Sequence, residues 1–104
     1  MSAQSPRLTF QSLQILRVLI ESRGYTATGA DVIKATHLFS GTVYPALARF
    51  EEAGWLKGEW EKIDPSREGR PRRRFYRLTG LGQRVARESF EQILPAFGTK
   101  PGWA

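Results

Sequence analysis

The chain contains no cysteine, one histidine and one methionine in 104 residues. Without cysteine it forms neither a disulfide nor a thiolate metal site, and His37 alone assembles no zinc centre and no histidine-dependent triad. Asp31, Glu51 and Glu52 have no acid–base partner beyond helical spacing. No catalytic residue, metal or cofactor is therefore expected. Apolar runs stay far below the roughly 20 residues that a membrane span needs. The opening MSAQSPRLTF also lacks the charged-then-apolar layout of a signal peptide, so no membrane association and a cytoplasmic location are expected. The length bounds a single small domain with one modest core.

What the chain does have is positive charge, and it is local. The net charge is +6, yet residues 67–77 hold Arg67, Arg70, Arg72, Arg73, Arg74 and Arg77 against Glu68 alone. The rest of the chain is close to neutral. A basic patch of this density points to a polyanionic partner.

Residues 1–8 read as a flexible arm, after which Thr9 caps a helix over about 10–22 that Gly24 ends. Its apolar arc, Leu13, Ile15, Leu16, Leu19 and Ile20, is broader than one buried stripe needs and predicts two contact surfaces, the domain's own core and something else. Thr28 and Asp31 form a capping-box pattern for a helix at 29–36, THLF (36–39) is a tight connector, and Ser40 caps a helix over 41–53 closed by Gly54. Two helices joined by so short a turn describe a helix-turn-helix. On the second of them Val43, Ala46, Leu47 and Phe50 share the core face. The opposite face begins Gly41, Pro45, Ala48, flanked by Thr42, Tyr44 and Arg49, with no acid in its N-terminal half.

WLKGEWEKI (55–63) and RRRFYRL (72–78) alternate loosely around DPSREGRP (64–71), the pattern of a hairpin with a long tip. Leu56 and Trp60 share one parity, Tyr76 and Leu78 another, giving an apolar face against the helices. Glu59 and Glu61 lie across from the arginine strand, but two acids cannot neutralise six arginines. Arg73 and Arg77 are accordingly assigned to cross-strand ion pairs, and Arg67, Arg70 and Arg72 to DNA. Thr79 caps a last helix over about 80–94. Along it Ala86, Phe90, Ile93 and Phe97 form a heptad-like stripe with nothing left in the chain to cover it. Together with Leu94, and with Leu16 and Ile20 of the first helix, this stripe is expected to form a subunit interface. Residues 98–104 read as a flexible tail.

The predicted fold is mostly α with a two-stranded β-wing, a winged helix-turn-helix over 9–79 followed by a dimerisation helix over 80–97. SGTVYPALARFEEAGWL (40–56) followed by GRPRRRFYRLTGLG (69–82) resembles the PadR family of bacterial transcriptional regulators, in its small subfamily with a single short C-terminal helix. The resemblance implies a homodimeric repressor that reads an inverted repeat in double-stranded DNA and responds to a small aromatic effector. It places the third helix in the major groove and the wing on the flanking backbone or minor groove. Carried onto this chain, it assigns Thr42, Tyr44 and Pro45 to the recognition helix and Gly69, Arg70, Pro71, Arg72 and Arg73 to the wing. Ser40, Arg49 and Arg67 complete the DNA-contact candidates. Where the family often has Gly-Tyr at the second helix, this chain has Gly29-Ala30. The competing reading is a winged-helix interaction module whose basic wing binds an acidic protein.

Overall fold

The structure is a computed structural model that describes residues 6–93. Its order is α1 (Phe10–Glu21), a 3-10 turn (Arg23–Tyr25), β1 (Thr26–Thr28), α2 (Gly29–Thr36), α3 (Ser40–Glu52), β2 (Leu56–Trp60), α4 (Pro65–Glu68), β3 (Arg74–Leu78) and α5 (Gly80–Ile93). This is a winged helix-turn-helix, and its sheet has three strands rather than two, in the order β1-β3-β2.

The cap signals in the sequence are realised as hydrogen bonds. The Thr9 hydroxyl accepts from Ser12 N at 3.1 Å and opens α1. At α2 the box is reciprocal, with Asp31 N donating to Thr28 Oγ1 and Thr28 N to Asp31 Oδ2, both at 3.0 Å. His37 then closes α2 in the left-handed region, at φ 62°. Helix α3 differs. It begins at Ser40, one residue earlier than expected, and its N-cap is Phe39, whose side chain makes no cap hydrogen bond. Lacking that bond costs a helix about 1 kcal/mol.

The broad apolar arc of α1 is spent within the chain. Ile15, Leu16 and Leu19 are fully buried because α1 packs against both α2 and α5. Of the residues expected at the subunit interface, Leu16, Ile20, Ala86 and Phe90 are buried in the core cluster of this chain. A helical wheel shows that a stripe needs a cover but not which element supplies it. Ile93 ends α5, and the remaining interface candidates, Leu94 and Phe97, lie outside the described residues.

Strand β1 exists because the chain turns sharply after α1. Gly24 and Tyr25 take left-handed conformations (φ 64° and 56°), and the three following residues pair antiparallel with β3, Ala27 opposite Tyr76. The turn is held from α5, where Arg87 lies 5.8 Å from the centroid of the Tyr25 ring and donates to its hydroxyl at 3.2 Å. On the other side of β3, Leu56 faces Leu78. Trp55 is buried and stacks on Phe50 at 5.3 Å. Trp60 does not join this core: it lies at the far end of β2, 59% exposed.

Helix α5 starts where the core closes. Thr79 Oγ1 accepts from Gly82 N at 3.0 Å and donates to the Gly54 carbonyl at 2.6 Å. Gly82 sits against the Trp55 carbonyl so closely that a Cβ would lie 2.0 Å from its oxygen. Gly82→Ala should therefore force α5 off the core and destabilise the fold by about 1–3 kcal/mol. Gly80→Ala, where an added Cβ meets nothing within 4 Å, should be neutral or slightly stabilising. Urea midpoints of the two variants check this, and equal midpoints would refute the packing assignment.

Candidate nucleic-acid interface

The outward face of α3 is built from small and hydrogen-bonding side chains. Ser40, Gly41, Pro45, Ala48 and Arg49 are exposed and Thr42 half-buried. Pro45 lacks the N–H that would bond the Gly41 carbonyl one turn back. Tyr44 is 46% exposed and its ring lies over Gly29 at the start of α2. A Cβ at Gly29 would stand 2.3 Å from Tyr44 Cε1. Gly29 is thus required for space, not for an unusual φ, and it lets a large aromatic lie across the helix-turn-helix. Ala30, beside it, is exposed.

The wing tip is a helical turn rather than a plain loop. Asp64 Oδ1 accepts from Ser66 N at 3.0 Å, Pro65 occupies the first turn, and Gly69 closes α4 at φ 67°. Those are ordinary start and stop signals, Asp then Pro and a later Gly, and they mark the turn in the sequence as well.

The arginines divide differently from the sequence expectation. Arg70, expected at DNA, grips Glu61 with both terminal nitrogens, at 2.7 and 2.9 Å. Glu61 also accepts from the Arg73 backbone N–H at 3.1 Å. Arg73, expected in a cross-strand pair, has no ion pair to an acid, and the same holds for Arg67 and Arg72 among the described residues. Arg72 is oriented by its Nε, which donates to the Ile63 carbonyl at 2.9 Å, and this leaves its charge unneutralised. Arg77 does pair with Glu59, at 3.7 Å.

Arg74 makes a contact that strand parity alone does not reveal. It leaves β3, crosses Gly58 of β2 and meets Glu51 of α3 at 2.8 Å. Its guanidinium lies 5.1 Å from the Trp60 ring centroid and 5.8 Å from that of Tyr76. A Cβ at Gly58 would stand 2.5 Å from Arg74 Nη2 and 2.8 Å from Glu51 Oε2. The glycine in LKGEW is the one sequence signal for this crossing.

Between α2, α3 and the wing opens a cleft of about 510 Å³, lined by Ala30, Tyr44, Trp60, Arg72, Arg73 and Arg74 among others. The structure thus brings Tyr44 together with Arg72 and Arg73. It leaves Arg67 and Pro71 exposed on the wing, and Ser40 and Arg49 on α3, outside that lining. Among the described residues no cluster of acids and histidine could hold a metal, and no helix is long and apolar enough to cross a membrane.

The model of the PadR-like family of transcriptional regulators matches residues 15–88. The chain belongs to that family. Among solved structures it is similar to a PadR family regulator from Eggerthella lenta, at 31% identity over 78% of this chain and 69% of that one, with a TM-score of 0.61. It is also similar to a PadR family regulator from Clostridium difficile, at 21% identity, covering 86% of this chain and 96% of that one with a TM-score of 0.65, a likeness of fold. A third similar structure is disulfide-formed AbfR, at 28% identity and TM-score 0.68, which covers 85% of this chain; the chain spans 59% of AbfR's length. No curated protein matches the chain in sequence.

In this PadR-like wing the Arg70 guanidinium holds the Glu61 carboxyl down at about 2, against an ordinary 4.5. The sign follows directly. Above about pH 4.5 the pair stabilises in full; below it the unfolded chain takes up a proton that the folded wing refuses, and stability falls until about pH 2. Urea midpoints recorded from pH 6 to pH 2 should show this loss, and Glu61→Gln should flatten that part of the curve. An unchanged acid limb in the variant would show that Glu61 does not carry it.

Proposed function

We propose that this chain is a cytoplasmic, sequence-specific DNA-binding regulator, in the simplest case a repressor that acts as a homodimer on an inverted repeat, and not an enzyme. The observation that carries the reading is the shared cleft. Tyr44, on a face of α3 with no acid in its N-terminal half, and Arg72 and Arg73 of the wing, which have no ion pair among the described residues, open onto the same space, with Asp31 also in its lining. A helix start with small exposed side chains admits the close approach that a major groove requires, while arginines beside it take the phosphates. The small aromatic effector implied by the family resemblance is part of this reading. The 510 Å³ cleft lies on the DNA side, so a ligand held there would compete with DNA.

Arg49, Arg67, Arg72 and Arg73 are the cations offered to phosphate in this reading. Four per subunit give a dimer a salt slope of log affinity of about −7. Arg72→Ala or Arg73→Ala should weaken all duplexes alike and reduce the slope by about 2 for the dimer. Arg70→Ala, which deletes a charge already neutralised by Glu61, should leave the slope nearly unchanged. Affinity measured across a salt series on a fragment selected from genomic DNA tests the scheme, and a slope shallower than about −3 would sink it. Failure to retain any genomic fragment at low salt would instead favour the acidic-protein partner.

For the dimer, the surface offered within the described residues is the start of α1, where Phe10 is 74% and Leu8 41% exposed. Phe10→Glu should yield folded monomers by light scattering. Phe90→Glu, by contrast, places a charge in the core and should unfold the chain. Folded dimers of Phe10→Glu would move the interface elsewhere.

A further inference from the structure

We infer that Phe39 is a specificity-determining residue that packs on the 5-methyl group of a thymine in the major groove, an inference that rests on the DNA-binding reading above. Phe39 is 84% exposed, the most exposed large apolar side chain among the described residues. It is also fixed in place. Its carbonyl accepts from Thr42 N at 2.9 Å and Val43 N at 3.0 Å, so its Cα moves with the first turn of α3. The residues that follow it, Ser40 and Gly41, are small, and a Cβ added at Gly41 would meet nothing within 4 Å.

The position makes the residue type informative. An N-cap favours Ser, Thr, Asp or Asn, whose oxygen bonds the first helical amides, and Phe39 makes no such bond. The chain thus forgoes a cap and exposes a phenyl ring to water at the end of the helix proposed to enter DNA. A phenyl ring offers no hydrogen bond to a phosphate or to a polar base edge. In the major groove the apolar group available to it is the thymine methyl, which marks A·T pairs and their orientation. Thr42 and Tyr44 offer hydroxyl groups on the same helix. Phe39 adds an apolar reader one turn nearer the helix start.

The test uses the full chain and the duplex recovered by selection from genomic DNA, with each thymine of a half-site replaced in turn by deoxyuridine, which lacks only the methyl group. The wild type should lose affinity roughly 3–5-fold at one or two of these positions, the effect of uncovering about one methyl per half-site. Phe39→Ala and Phe39→Ser should bind the thymine duplex more weakly by a similar factor and be indifferent to the same replacement. The serine variant restores a capping side chain, so a loss shared by both variants is not a loss of the helix; thermal melting verifies that each is folded.

A wild type indifferent to every replacement overturns the inference, as do variants that keep the wild-type sensitivity to the methyl. Equal weakening of the variants on both duplexes, with wild-type sensitivity absent, assigns Phe39 to the sugar-phosphate edge or to a protein and likewise overturns it. If the wild type retains no duplex at low salt, the DNA-binding reading falls and this inference with it.

Discussion

The proposed action of α3 and the wing on one duplex depends on the spacing between them, and the Arg74–Glu51 pair ties the two together. The guanidinium starts on β3, crosses β2 where Gly58 leaves room, and ends on the last turn of α3 at 2.8 Å. Both side chains are about one-third exposed, so the pair contributes on the order of 1 kcal/mol or less to stability. Its importance is geometric. Trp60 and Tyr76 flank the same guanidinium, which therefore has few other places to go, and the end of β2, the middle of β3 and the C-terminal turn of α3 are tied at one point.

That tie explains how one arginine-rich strand serves two purposes. Arg74 and Arg70 reach acids on α3 and on the chain just after β2, and Arg77 reaches Glu59. Each makes the wing stiffer and each is neutralised in doing so. Arg67, Arg72 and Arg73 sit on the framework so formed and keep their charge. The paired arginines shape the wing, and the unpaired ones give it a field. Loss of a paired arginine and loss of an unpaired one are therefore different lesions, although the residues differ by only a position or two in the sequence.

The parts of this molecule legible in the sequence are those set by near neighbours. Thr9, the Thr28–Asp31 box and Thr79 cap as read, because a cap depends on residues three apart. The core face of α3 and the apolar parity of β3 follow from periodicity in the same way. Strand β1 escaped because three residues, Thr26–Thr28, show no period, and their partner lies some fifty positions on in β3. The burial of Ala86 and Phe90 in the same core as α1 is equally non-local. Arg77 pairs across the strands as read, but Arg70 takes the acid assigned to Arg73, for a finer reason: strand parity identifies faces while long side chains reach diagonally, and Glu51, the partner of Arg74, lies outside the hairpin altogether.

Several departures from local rules fall close together. Helices α1, α2, α4 and α5 each carry a side-chain cap, from Thr9, Thr28, Asp64 and Thr79. Among the described α-helices α3 alone begins without one, and α3 also holds the internal Pro45. Its neighbour α2 gives up a side chain at Gly29 so that Tyr44 can lie across it. A sequence selected only for stability would place Ser or Asp at position 39 and a helix former at position 45. Elsewhere Tyr25 and His37 hold left-handed conformations in turns, but the missing cap, Pro45 and Gly29 fall together, and such a cluster of local inconsistency marks a surface on which selection acts for something other than folding. Here that surface is the start of α3, the region proposed to meet DNA, and it shares a cleft with Arg72 and Arg73 of the wing.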